Sequence, residues 1–122
     1  VTKEKEYLGG VITPGIHISM AALESKTARL PTVEIIRPSE VLGRSTVESI
    51  QSGLYYGTLA AVRSIAACVT KQHFPKDPPV IIGTGGFGRL FEEENLFDAF
   101  VPELPLMGLR RAVELARGEA RK

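Results

Sequence analysis

The chain has 122 residues, 43% hydrophobic and 24% charged, with a formal net charge of +1. That is room for one compact domain and not two. The near-neutral balance leaves no basic footprint for nucleic acid, and no run approaches the ~20 apolar residues of a membrane-spanning helix.

The single cysteine, Cys68, excludes a disulfide within the chain and points to a reducing, cytoplasmic compartment. Its apolar neighbours in "SIAACVTKQ" predict a buried small side chain. The opening "VTKEKEYLGG" is charged and then Gly-rich, unlike a secretory leader. It carries no initiating Met and leads at once into a strand-like stretch, which is expected of a segment of a longer protein.

Taken in chain order, "EYLGGVIT" (6–13) reads as a turn and a short apolar strand. Pro14-Gly15 punctuates it. "IHISMAALESKTARL" (16–30) places Ile16, Met20, Leu23, Thr27 and Leu30 at helical spacing, so an amphipathic helix is predicted, ended by Pro31. "TVEII" is a short extended piece, and "RPSEVLGRS" (37–45) a loop.

The longest helix follows, to about residue 73. Ser45 or Thr46 is its expected N-cap, and Glu48 completes a capping box with Ser45. Ile50, Leu54, Gly57, Ala61, Ile65 and Cys68 share one face. Gly53, Gly57, Ala60 and Ala61 put small residues on or beside it. Each interior glycine costs roughly 1 kcal/mol relative to Ala, so a close backbone approach, to another helix or a second subunit, is expected there.

"PKDPP" is a rigid loop. "VIIGT" (80–84) reads as a fully apolar strand, "GGFGRLFEEEN" as the start of a helix, and "FDAFV" as another short strand. A terminal helix is predicted from about 105 to 117, with Leu106, Leu109, Val113 and Leu115–Ala116 as its buried side. The basic end "ARGEARK" reads as a solvated helix terminus. Strands alternating with helices make this an α/β domain.

"VIIGTGGFGRL" (80–90) carries Gly83, Gly85 and Gly88 in the spacing G-x-G-x-x-G. Three readings compete. In a dinucleotide-binding loop the third glycine admits close helix packing, and Glu103, ~20 residues beyond Gly83, would hold a ribose. That fold needs further strand–helix units, and only one helix follows. A tight turn needs the glycines for steric reasons alone. In the third reading, Thr84-Gly85-Gly86 lets backbone lie against adenosine or phosphate, with helix N-terminal amides beyond.

Other residues give weaker signals. His17 has no second ligand spaced for a metal and reads as a structural or surface histidine. His73 is a favourable charge at a helix C-terminus. Tyr55-Tyr56 reads as core or interface packing. "EEEN" (92–95) reads as a solvated face, because consecutive carboxylates on a helix diverge.

Four segments in order, "YLGGVITPG" (7–15), "ESKTARLPTVE" (24–34), "LGRSTVESIQSGLYYG" (42–57) and "VIIGTGGFGRL" (80–90), together with "LFDAFVPELPLMGLRRAVEL", closely resemble the second half of type III pantothenate kinases. The resemblance covers nearly the whole chain. It implies the C-terminal ribonuclease-H-like domain of an actin-like ATPase, lacking its first strands, with the N-terminal ATPase domain absent.

The resemblance further implies ATP-dependent phosphorylation of pantothenate, the first step of coenzyme A synthesis. Mg²⁺ and a monovalent cation (K⁺ or NH₄⁺) are implied, as is a homodimer. Thr46 in "GRST" matches the threonine that contacts pantothenate, although Ser45 stands where the family usually has Asn. Thr84, Gly85 and Gly86 match the motif bordering adenosine. Gly9, Gly10, Pro14 and Gly15 match the turn beside the cleft, and the small face around Gly53 and Gly57 suits the dimer contact.

The family's Asp-x-Gly-Asn-Thr phosphate loop, its Gly-x-Asp-Arg segment with the catalytic aspartate and its Asp-x-Gly-Thr hairpin do not occur in this sequence. The chain alone is therefore expected to be inactive, its catalytic Asp and most cation ligands lying upstream of Val1. Two alternatives stand beside this: a non-catalytic regulatory relative, of the transcription accessory type, and a dinucleotide-binding module.

Overall fold

A computed structural model describes residues 1–26 and 31–118. The first described helix, α1, is Ile16–Lys26. Thr27 and Leu30, expected on its apolar face, lie outside the described residues, as does the basic end beyond 118. Ile16 and Met20 of that face are buried and Leu23 half-buried. The apolar end of 6–13, predicted as a short strand, forms none among the described residues; Val11 and Ile12 are exposed. A strand needs a ladder partner for its amides, and none of the described residues supplies one.

The long helix α2 is Thr46–His73, as the capping pattern predicted. The Ser45 hydroxyl accepts from the Glu48 amide at 3.2 Å. The Glu48 carboxylate returns one residue further out than a standard box, accepting from the Arg44 amide at 2.6 Å. At the other end the Phe74 amide donates to the Thr70 carbonyl at 2.9 Å, with Lys71 and His73 in the last turn. The Lys71 charge suits the negative pole of the helix.

Burial is concentrated in the first half of α2, at Ile50, Ser52, Leu54, Tyr55 and Leu59. Cys68 and Ala61 are exposed, against the expectation of one buried face along the whole helix. A Cβ added at Gly53 or Gly57 would meet nothing within 4 Å, so no close approach among the described residues accounts for these glycines.

The sheet has two parallel strands, β1 (Ile82–Gly83) and β2 (Ala99–Phe100), shorter than "VIIGT" and "FDAFV" suggested. The Asp98 amide donates to the Ile81 carbonyl at 2.8 Å, and the Val101 amide to that of Gly83 at 2.8 Å. The Asp98 carboxylate accepts from the Ile81 amide at 2.6 Å. Between the strands runs a 3₁₀ helix, Gly86–Glu94, where an α-helix was expected. The last helix, α3, is Leu104–Ala116, but none of its residues is buried. Leu106, Leu109, Val113 and Leu115–Ala116, predicted as its inner side, are exposed.

The core gathers Ile16, Met20, Val33, Ile50, Leu54, Tyr55, Leu59, Phe91 and Leu96 between α1, α2 and the 3₁₀ helix. The chain exposes 9621 Å², about 1.5 times the roughly 6,400 Å² expected of a compact monomer of its mass. Much of the surplus is apolar. No helix among the described residues is long and apolar enough to cross a membrane.

Candidate functional site

The glycine loop leaves the carboxyl end of β1. Its three spaced glycines answer to different constraints. A Cβ on Gly83 would lie 2.6 Å from the Phe97 ring and 2.8 Å from Phe100; one on Gly88 would overlap Phe100. These two are steric glycines, closed in by a pair of rings whose centroids are 6.1 Å apart. Gly85 has φ +84°, a backbone state that L side chains rarely adopt. Gly86 opens the 3₁₀ helix and is under neither constraint; a Cβ there meets nothing within 4 Å.

The Thr84 hydroxyl donates to the Pro102 carbonyl at 3.3 Å, tying the loop to the segment after β2. Thr84, Gly85 and Gly86 are all exposed. The loop thus presents bare backbone at the end of a parallel strand pair, the place where open α/β sheets bind ligands. It does not lead into an α-helix whose amides would hold a pyrophosphate, and Glu103 sits exposed at the start of α3. The dinucleotide arrangement is not formed.

Gly9, Gly10, Pro14 and Gly15 lie on the exposed segment that runs into α1. The first turn of α1 reaches the glycine loop: His17 meets Phe87 edge-on, with ring centroids 5.1 Å apart and planes at 79°. Gly15 and Gly86 are therefore close neighbours of one ring contact. His17 and Phe87 share a cavity of about 370 Å³ with Met20, Glu24, Thr32 and Val33. The structural role predicted for His17 is this contact.

Thr46 is the first residue of α2 and is exposed. Close by in sequence, residues 36–40 and 42–44 with Glu48 and Gln51 line a cavity of about 500 Å³. Among the described residues no hydrogen bond or ring contact joins Thr46 to the glycine loop. The two are linked indirectly, through Glu94.

Glu94, predicted on a solvated face, is only 15% exposed in its side chain. It accepts from the Tyr55 hydroxyl at 2.7 Å. The Arg37 guanidinium lies 3.2 Å away and also holds Glu93 at 2.9 Å. Arg63 donates to the Glu94 carbonyl at 2.9 Å, with its charge 3.9 Å from the carboxylate. The 3₁₀ geometry turns Glu94 inward while Glu92 and Glu93 stay exposed. Tyr55 is fully buried. Burial, and then the bond to the Glu94 carboxylate, push its pKa up from 10.0 to about 12. The sequence held one cue to this cluster: a tyrosine on a core stripe needs a hydroxyl partner.

No group of three or more His, Cys, Asp or Glu among the described residues could hold a metal ion. They supply no carboxylate cluster that fits Mg²⁺.

The family model described as type III pantothenate kinase matches residues 1–68. Over 112 residues the chain is 47% identical to the type III pantothenate kinase of Legionella pneumophila strain Corby, covering 92% of this chain and 44% of that protein. It is 44% identical over 110 residues to type III pantothenate kinase 1 of Francisella tularensis subsp. holarctica strain OSU18, covering 90% and 43%. It is 40% identical over 117 residues to the type III pantothenate kinase of Elusimicrobium minutum strain Pei191, covering 96% and 45%. The chain spans less than half the length of these relatives.

Proposed function

Because the chain belongs to the type III pantothenate kinase family, we propose that it works as the adenosine-side wall of a cleft in which ATP phosphorylates pantothenate, opening coenzyme A synthesis in the cytoplasm. In this reading residues 1–122 are the C-terminal, ribonuclease-H-like half of a two-domain actin-like ATPase. The observation that carries it is the bare backbone at Thr84-Gly85-Gly86, at the carboxyl end of β1, where an added Cβ at Gly85 or Gly86 faces open space.

Each residue has a simple task. Thr84 fixes the loop through Pro102, and Gly85 and Gly86 let the nucleotide approach the backbone. In this reading Gly9, Gly10, Pro14 and Gly15 line the cleft beside them, and the exposed Thr46 hydroxyl hydrogen-bonds pantothenate. Phosphoryl transfer is almost entirely positioning and charge stabilisation. Cations would supply much of the latter, and in this reading the carboxylates that would hold them lie outside residues 1–122. What this chain contributes is orientation of the two substrates.

The apolar surplus on α3 and the bare small face of α2 support further partners: the N-terminal domain, and a second subunit across Gly53 and Gly57. The test is ADP release coupled to phosphopantothenate formation. The full-length polypeptide should need both ATP and pantothenate, and residues 1–122 alone should give no turnover. Turnover by residues 1–122 alone overturns the division of labour. A full-length protein that binds ATP without phosphorylating pantothenate is the regulatory relative instead.

A further inference from the structure

Three segments meet at Glu94. It ends the 3₁₀ helix that Gly86 begins. Tyr55 and Arg63 reach it from α2, and Arg37 from the segment that precedes α2. From Arg37 that segment runs eight residues to the N-cap, and it is fastened along α2. Gln51 donates to the Glu34 carbonyl at 3.0 Å, and the Ser52 hydroxyl donates to the Val41 carbonyl. One end of the path is therefore Thr46, and the other is the glycine loop.

A carboxylate this sheltered is a poor stabilising device. Its desolvation offsets most of what the guanidinium groups return, and an apolar group of equal volume would serve stability as well. What charge-assisted hydrogen bonds add is fixed direction and length. We infer that Glu94 and Arg37 are positioning residues that set the Thr46 end of α2 against the Thr84–Gly86 loop, so that acceptor and nucleotide are held at one spacing. The inference rests on the pantothenate kinase reading.

Glu94→Gln keeps the volume and an acceptor for Tyr55 but removes the charge. In the full-length protein it should lower kcat by roughly tenfold, since small misplacements of the reacting groups are costly to the chemical step, with the KM for ATP and for pantothenate each changed less than about threefold. Arg37→Met should do the same, and the double variant should add little, as expected of one shared interaction. Arg37→Met also serves if Glu94→Gln does not fold. Tyr55→Phe, which leaves the ion pair in place, should change kcat by less than about twofold.

Amide exchange gives a readout independent of activity. Segments 38–46 and 84–92 should loosen together in Glu94→Gln. An unchanged kcat with only a lowered melting point, a raised KM with kcat unchanged, or loosening of the 84–92 segment alone would each overturn the inference. A wild-type protein without pantothenate kinase activity sinks the functional reading, and the exchange pattern then still decides whether Glu94 couples the two segments.

Discussion

Gly86→Ala separates the two roles a glycine loop can have. The added Cβ meets no heavy atom within 4 Å, and Gly86 is not among the positive-φ glycines. Its cost to the fold is therefore that of a surface change, within about 0.5 kcal/mol, and reduced freedom of the unfolded chain favours Ala slightly. A methyl group standing between backbone and nucleotide should nevertheless weaken ATP, and a tenfold rise in KM corresponds to about 1.4 kcal/mol.

Gly88→Ala is the control. Its Cβ overlaps the Phe100 ring, which Phe97 and Gly83 already confine. Overpacking of this kind costs about 1–3 kcal/mol, or about 2–12 °C in melting temperature for a protein of the relatives' size. The assay is a thermal melt and an ATP titration of the full-length protein. Gly86→Ala should melt as wild type with a raised KM for ATP, and Gly88→Ala should melt early with KM little changed below its transition. Wild-type KM in Gly86→Ala would reduce the loop to a steric turn. Wild-type melting in Gly88→Ala would show that the ring packing argument is wrong.

Two further outcomes are expected. The raised pKa of Tyr55, about 12 against 10.0, means that its stabilising contribution is complete below the unfolded value and is lost as pH rises through the folded one. Wild type should lose stability across that alkaline window more steeply than Tyr55→Phe, and the wild-type-minus-variant absorbance at 295 nm should show one phenolate appearing near the upper value. Gly57→Leu, whose side chain enters open space in the single chain, should leave secondary structure intact and halve the sedimenting mass; a dimer of wild-type affinity would remove the small face of α2 from the subunit contact.

Local rules predicted α2 well because its signals are local: a serine cap with Glu48 three residues on, and an apolar stripe from Ile50 to Leu59. The glycine loop was partly legible. Its spacing suggested a phosphate loop, whereas Gly83 and Gly88 are small because of Phe97 and Phe100, residues that no spacing rule brings to that place. The Glu94 cluster was not legible. Its members come from residues 37, 55, 63 and 94, and consecutive glutamates read as solvent-facing until a 3₁₀ helix sets their phase.

The remaining mismatches share one direction. Val11 and Ile12 were to be strand, Cys68 was to be buried, and Leu106, Leu109 and Val113 were to be the inner side of a helix; all are exposed. Glu94, expected in solvent and found sheltered, runs the other way, and its cause is the phase of the 3₁₀ helix. Apolar periodicity reports which face is buried where the protein works, not which face these 122 residues cover for themselves. An accessible surface about 1.5 times that of a compact monomer is the same discrepancy measured as area. The pattern on α3 and the second half of α2 is best taken as a map of what the rest of the protein touches. The glycine loop and Thr46, exposed for the same reason, would then be the floor of a cleft whose opposite wall must bring the carboxylates for the chemistry.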